Sequence, residues 1–149
     1  MPQYEFEKAF AEGLVKGFIE AFLKLIPGFE NKEKLKQEFK DYLYKLADNL
    51  STIVSTLEKG DIPEGMGTEI KTSLKDFEKK IKRLRIGSSK KQEILTLHTR
   101  IQNSLRDGKF LDDYIAGNIL RDVKPRERKQ KLLEMKRTAG AIRGYANAL

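Results

Sequence analysis

The chain contains no cysteine and only one histidine among its 149 residues. Without cysteine there can be no thiol nucleophile, no disulfide and no Cys-ligated zinc or iron–sulfur site, which suits a reducing compartment. A lone histidine has no imidazole or thiolate companion with which to complete a metal site. Long hydrophobic runs are also missing: no uncharged apolar stretch reaches the ~18 residues needed to span a bilayer. The opening residues, MPQYEFEK, are acidic and lack a signal-peptide cleavage pattern, so a cytoplasmic location is expected. There is no Walker-type GxxxxGK[ST], no dinucleotide GxGxxG, no nucleophile elbow, no strand-like alternation and no repeat of fixed period.

What remains is a charged, foldable chain, with 39% hydrophobic and 35% charged residues. It is long enough to bury a core as one domain, whether it stands alone or belongs to a longer protein. The net charge of +8 is unevenly distributed. Residues 1–78 hold eleven lysines against fifteen carboxylates, whereas residues 79–149 hold nineteen Lys and Arg against seven. All nine arginines fall between Arg83 and Arg143. Such polarity points to an anionic partner for the C-terminal half, because summed charge steers association whatever the fold.

Apolar spacing predicts helices throughout. The first is expected from about Gln3 to Ile26, stopped by Pro27-Gly28, with Phe10, Ala11, Leu14, Val15, Phe18, Ile19, Phe22, Leu23 and Leu25 on one face. The second runs from an Asn31 N-cap to about Lys59, with the heptad seam Phe39, Leu43, Leu46, Leu50, Ile53, Leu57. After the loop GDIPEGMG, a third carries Ile70, Leu74, Phe77, Ile81 and Leu84 and ends at Gly87. A fourth starts from a Ser89/Gln92 capping box and carries Ile94, Leu97, Ile101 and Leu105. A short fifth segment, FLDDYIAGNIL, precedes a last helix from about Pro125 to Ala148, with the seam Leu132, Met135, Ala139, Ile142, Ala146, Leu149.

Small residues repeat every fourth position in both terminal helices: Ala9, Gly13, Gly17 and Ala21 in the first, Gly140, Gly144 and Ala148 in the last. Glycine costs about 1 kcal/mol against alanine inside a helix, so the stripes predict a close backbone approach between the two. The expected fold is all-α: a single-domain antiparallel bundle of five to six helices, its first and last helices packed closely through small residues.

Catalytic constellations are weak. His98 is expected at the core boundary as a structural histidine, since no partner sits at a useful offset. Asp112-Asp113 lacks the ligand order of a calcium loop and reads as a helix-start acidic pair. The chain is therefore expected to be no enzyme, with no cofactor, metal or small-molecule substrate. Two basic runs stand out instead, KKIKRLR (79–85) and KPRERKQK (124–131), together with the loop GSSKK (87–91). Lys79, Lys82, Arg83, Arg85, Lys90, Lys91, Arg126, Arg128, Lys129 and Lys131 are the candidate anion- or nucleic-acid-binding residues. The aromatics gather between positions 4 and 44, in the acidic half, so the basic runs have no interleaved rings for stacking bases.

The leading expectation is a non-catalytic interaction or adaptor module whose basic C-terminal half binds nucleic acid or an acidic protein. The alternative is a membrane-active bundle. The first helix, with its phenylalanines and narrow charged strip, has the form of an interfacial helix, and the basic half would attract anionic lipid. In layout alone the chain resembles cell-death domains of the HeLo and MLKL type. That resemblance implies an N-terminal segment, here Ala9, Phe10, Gly13, Gly17, Phe18, Ala21 and Phe22, that engages a membrane when released. Self-association is compatible with either reading.

Overall fold

The computed structural model describes residues 13–105 and 124–149. Their regular structure is entirely helical: α1 (Leu14–Leu25), a 3-10 turn (Phe29–Asn31), α2 (Glu33–Glu58), α3 (Met66–Lys82), α4 (Ser88–Leu105) and α5 (Pro125–Asn147). The segment expected at 110–120, including Asp112 and Asp113, lies outside the described residues, as do Ala9 and Phe10.

The heptad seam of α2 organises the bundle. Phe39, Leu43, Leu46, Leu50, Ile53 and Leu57 are all buried, because steps of four and three keep one stripe of a helix against its neighbours. That stripe meets α5 along most of its length and α3 over a shorter one, while α4 packs on both α1 and α3. Cross-helix partners run in opposite order along each pair. Asp48 and Glu58 on α2 meet Arg143 and Lys136 on α5, and Glu38 meets Lys80 on α3. The helices therefore follow the order α5, α2, α3, α4, α1 with antiparallel successive neighbours, as short connections favour, and α1 and α5 run in the same direction.

The last helix keeps its expected seam: Leu132, Met135, Ala139, Ile142 and Ala146 are buried. In α4 the seam is shifted. His98 is fully buried between Ile94 and Ile101, and Leu97 is half-buried beside it. Other boundaries also move. Asn31 closes the 3-10 turn and Lys32 stands at the N-cap of α2. Ser89 lies inside α4, and Gln92 reaches forward to Thr96 instead of back to a cap. α3 stops at Lys82, so Leu84 packs from the following turn.

The small-residue stripes also need correcting. Gly13 does not continue a helix; it takes the left-handed conformation, φ 91°, at the N-cap of α1, which glycine adopts without a Cβ penalty. Gly13 thus stands outside the helix that carries Gly17 and Ala21. α1 and α5 do face each other, across a groove of 260 Å³ lined by Val15, Ile19, Ala141, Ile142 and Tyr145. Among the described residues the glycines do not bring them together: a Cβ built on Gly17, Gly140 or Gly144 meets none of their atoms within 4 Å. The larger side chains Val15, Ile19, Ile142 and Tyr145 supply the apolar lining of that groove.

Gly17→Ala and Gly140→Ala should each raise stability by about 0.5–1 kcal/mol, since each removes backbone entropy and meets no clash. Gly13→Ala should lower it, because alanine strains at positive φ. Thermal melts of the three variants check this; destabilisation by Gly17→Ala would restore the close clasp.

Candidate functional site

Two features concentrate polar chemistry. One is a buried network around His98. Its ring lies 4.9 Å, centroid to centroid, from Phe18 of α1 and is flanked by Phe77 of α3 and Tyr42 of α2. The Tyr42 hydroxyl lies 2.9 Å from Nε2. On the other side, the Gln102 amide nitrogen lies 3.3 Å from Nδ1 and donates to Glu78 Oε2 at 2.8 Å. An amide nitrogen can only donate, so Nδ1 accepts, and the proton of the neutral ring sits on Nε2, pointing at the Tyr42 oxygen. Lys71 closes the network by donating to the Gln102 carbonyl at 2.7 Å.

This environment selects the neutral ring. Burial lowers the His98 pKa from 6.5 to about 4; the Glu78 carboxylate opposes the shift and the Lys71 ammonium adds to it. Burial likewise raises the Tyr42 hydroxyl well above its usual value. Glu78 is held below its usual value, chiefly by the Gln102 hydrogen bond; desolvation opposes this next, and the Lys82 hydrogen bond and charge lower it further. A fully buried imidazole with both nitrogens engaged cannot exchange protons with a substrate in this conformation. What it can do is lock α2, α3 and α4 in register. Its sequence signal was the seam itself: steps of 4, 3 and 4 from Ile94 reach His98, Ile101 and Leu105, a position assigned by residue type to Leu97.

The second feature is the end of the bundle where α2 begins, α3 ends and α4 begins. Lys79 and Lys82 lie in the last turn of α3, Arg83 and Arg85 in the turn that follows, and Lys90 and Lys91 in the first turn of α4. The fold adds Lys32 and Lys34 from the acidic half of the sequence. Together with Leu35, Glu38, Lys80 and Arg83 they line an open depression of 600 Å³. Residues 30–38 and 78–93 carry ten cationic side chains against five carboxylates. Some of that charge is answered locally: Lys80 pairs with Glu38 at 3.2 Å, Lys82 with Glu78 at 3.3 Å, and Lys91 donates to the Lys82 carbonyl. Lys32, Lys34, Lys79, Arg83, Arg85 and Lys90 are exposed and have no ion-pair partner among the described residues.

No family model matches the chain, and no curated protein or solved structure matches it either.

The remaining candidates are not part of that end. Arg126, Arg128, Lys129 and Lys131 open α5, which starts beside Glu58 at the far end of α2. With 26 residues in α2 at about 1.5 Å each, the two basic groups stand roughly 39 Å apart. Farther along α5, the acidic half of the chain answers the basic half directly, through Lys136–Glu58 at 2.8 Å and Arg143–Asp48 at 2.6 Å. Phe18 and Phe22, expected to serve a clasp or a membrane, are wholly buried, and Ala21 is half-buried.

The histidine yields a signed pH dependence. Between pH 6.5 and about 4 the unfolded chain binds a proton that the folded ring refuses, so this contribution is complete above 6.5 and fades as pH falls. Stability should drop by up to roughly 2 kcal/mol between about pH 7 and 5 from this group alone. Glu78 acts lower, where its depressed carboxyl protonates. Denaturant unfolding of wild type and His98→Gln at both pH values checks it: the variant's drop should be smaller, and equal drops would reassign the linked proton. Tyr42→Phe, which strands the Nε2 proton, should cost about 1–3 kcal/mol.

Proposed function

We propose that the chain is a non-catalytic helical interaction module whose basic end, formed by the start of α2, the end of α3 and the start of α4, binds an anionic macromolecule. The observation carrying this reading is the set of six exposed cations, without an ion-pair partner among the described residues, that the ends of three helices and the α3–α4 turn gather at one end. Held by a rigid bundle, they form a field that neighbouring carboxylates only half cancel, and such a field attracts polyanions and accelerates their encounter.

The non-catalytic part of the reading is supported by His98. The chain's single imidazole serves the interior and is closed to substrate. The depression at the basic end has half-buried Leu35 and Leu84 in its lining, with charged side chains around them. Its chemistry is that of a binding surface, where cations position a partner without reacting with it.

Elution from an immobilised sulfated polysaccharide tests the reading. The intact chain should be retained at low salt and released as salt rises, because each cation–anion contact displaces a condensed counterion. Arg83→Glu with Lys90→Glu should elute at clearly lower salt, while Arg126→Glu with Lys129→Glu, at the far end, should change retention less. No retention at low salt, or equal loss from both pairs, would overturn the reading.

A further inference from the structure

The anionic partner can be narrowed by what the basic end does not offer. A single-stranded nucleic acid is held by stacking its bases on exposed aromatic rings. Among the described residues the rings near this end are committed to the core: Phe39 and Phe77 are buried at 0% and 2% exposure, and Phe29 at 4%. A protein partner is anchored by apolar or aromatic side chains at the centre of its interface, where lysine is depleted. Here lysine predominates, and the large apolar residues Leu35, Leu84 and Ile86 are each half-buried against the core. The two exposed large hydrophobics among the described residues, Ile62 and Leu133, belong to the α2–α3 loop and the early part of α5, at the opposite end. Among the described residues the basic end therefore offers a lipid surface no exposed large apolar side chain to insert.

What is left is a spread of long, flexible cations on helix ends and a turn. Lys34, in the first turn of α2, and Arg83, just past the end of α3, line the same depression, and Lys79 stands one helical turn before Arg83, on the same side of the chain. Lys90 extends the set across the α3–α4 turn, where Lys91 is tied to the Lys82 carbonyl at 3.1 Å. Helix ends and turns meet a duplex at its phosphates; reading base edges in the major groove needs a helix laid along the groove with its side chains facing in. We infer that the basic end is a docking surface for the phosphate backbone of double-helical nucleic acid, bound without regard to base sequence. This inference rests on the anionic-partner reading above and narrows it to one class.

The test titrates the intact chain with a short mixed-sequence DNA duplex, one of its single strands, polyglutamate, and vesicles containing anionic lipid. The duplex should bind at low salt, and a second duplex of unrelated sequence should bind equally. Six phosphate contacts give a log–log salt slope of about −5, equivalent to a loss of roughly 10³-fold in affinity between about 50 and 200 mM salt. Lys34→Glu with Lys79→Glu and Arg83→Glu should abolish binding at intermediate salt and flatten the slope by about 3, with the circular-dichroism melt retained. Arg126→Glu with Lys129→Glu should leave duplex affinity within about twofold, as expected of cations that make no phosphate contact. Single strand bound as tightly as duplex, or strong preference between the two duplexes, overturns the inference. So does binding of polyglutamate or vesicles, but not duplex, that the triple variant removes; that result leaves the anionic-partner reading standing. Failure of all four probes at low salt removes both.

Discussion

Phe22 of α1 lies flat on Phe39 of α2, ring centroids 4.0 Å apart and planes within 16°, and the rest of the bundle is assembled around that contact. Phe77 of α3 approaches the pair at 5.5 and 5.7 Å and is itself stacked on Tyr42 at 4.1 Å. Phe29 closes one side edge-on from the 3-10 turn, and Phe18 extends the cluster to His98 of α4. Aromatic side chains each bury about 150–250 Å² and add directional ring contacts, so this cluster fixes both how tightly and at what rotation α1 to α4 meet. α5 is attached differently. Its buried side chains are Leu132, Met135, Ala139, Ile142 and Ala146, with no ring among them. It leans on the α2 seam and on polar ties along the flank, from Tyr44 to Asn147 and Asp48 to Arg143.

The aromatic cluster explains why a histidine can occupy a seam position. An imidazole has nearly the shape of the rings around it, and its two nitrogens are satisfied by one hydroxyl and one amide. An unsatisfied polar ring at that depth would cost several kcal/mol, roughly as much as deleting a large core side chain. Because both nitrogens are engaged, the network acts as a register key. A one-turn slip of α4 would move His98 away from Tyr42, and Gln102 away from Glu78 and Lys71, at the same time. Apolar seams tolerate slippage better than hydrogen-bonded ones do.

This distinction also marks how far the sequence could be read. The seams of α2, α3 and α5 were legible because large apolar residues recur at steps of three and four, and burial follows that period. His98 was not, since hydrophobicity favours Leu97 while register favours its neighbour; only the packing of Phe18 and Tyr42 around the ring decides between them. Gly13 was misjudged for a similar reason: a four-residue stripe and a helix N-cap at positive φ use the same residue type, and spacing does not separate them. The basic end was half legible. KKIKRLR and GSSKK are local and visible, but Lys32 and Lys34 reach the same end only because α2 runs antiparallel to α3. The second run, KPRERKQK, is placed at the far end by the length of α2, a consequence of tertiary topology that no local charge count contains.

The aromatic core also sets the energetics of the membrane alternative. Releasing α1 would expose Val15, Phe18, Ile19, Phe22 and Ile26, all now buried. At about 1.5–3 kcal/mol for each large apolar side chain, this costs roughly 7–15 kcal/mol. Whole domains are stable by only about 5–15 kcal/mol. Withdrawal of α1 would also strip Phe39, Phe77 and His98 of their cover, so it amounts to unfolding the bundle, not unlatching a helix. A membrane would have to rebury the same phenylalanines to offset that cost. The basic end requires no such rearrangement: its cations are exposed in the folded state, their substitution touches no part of the core, and a polyanion can meet them with the bundle intact.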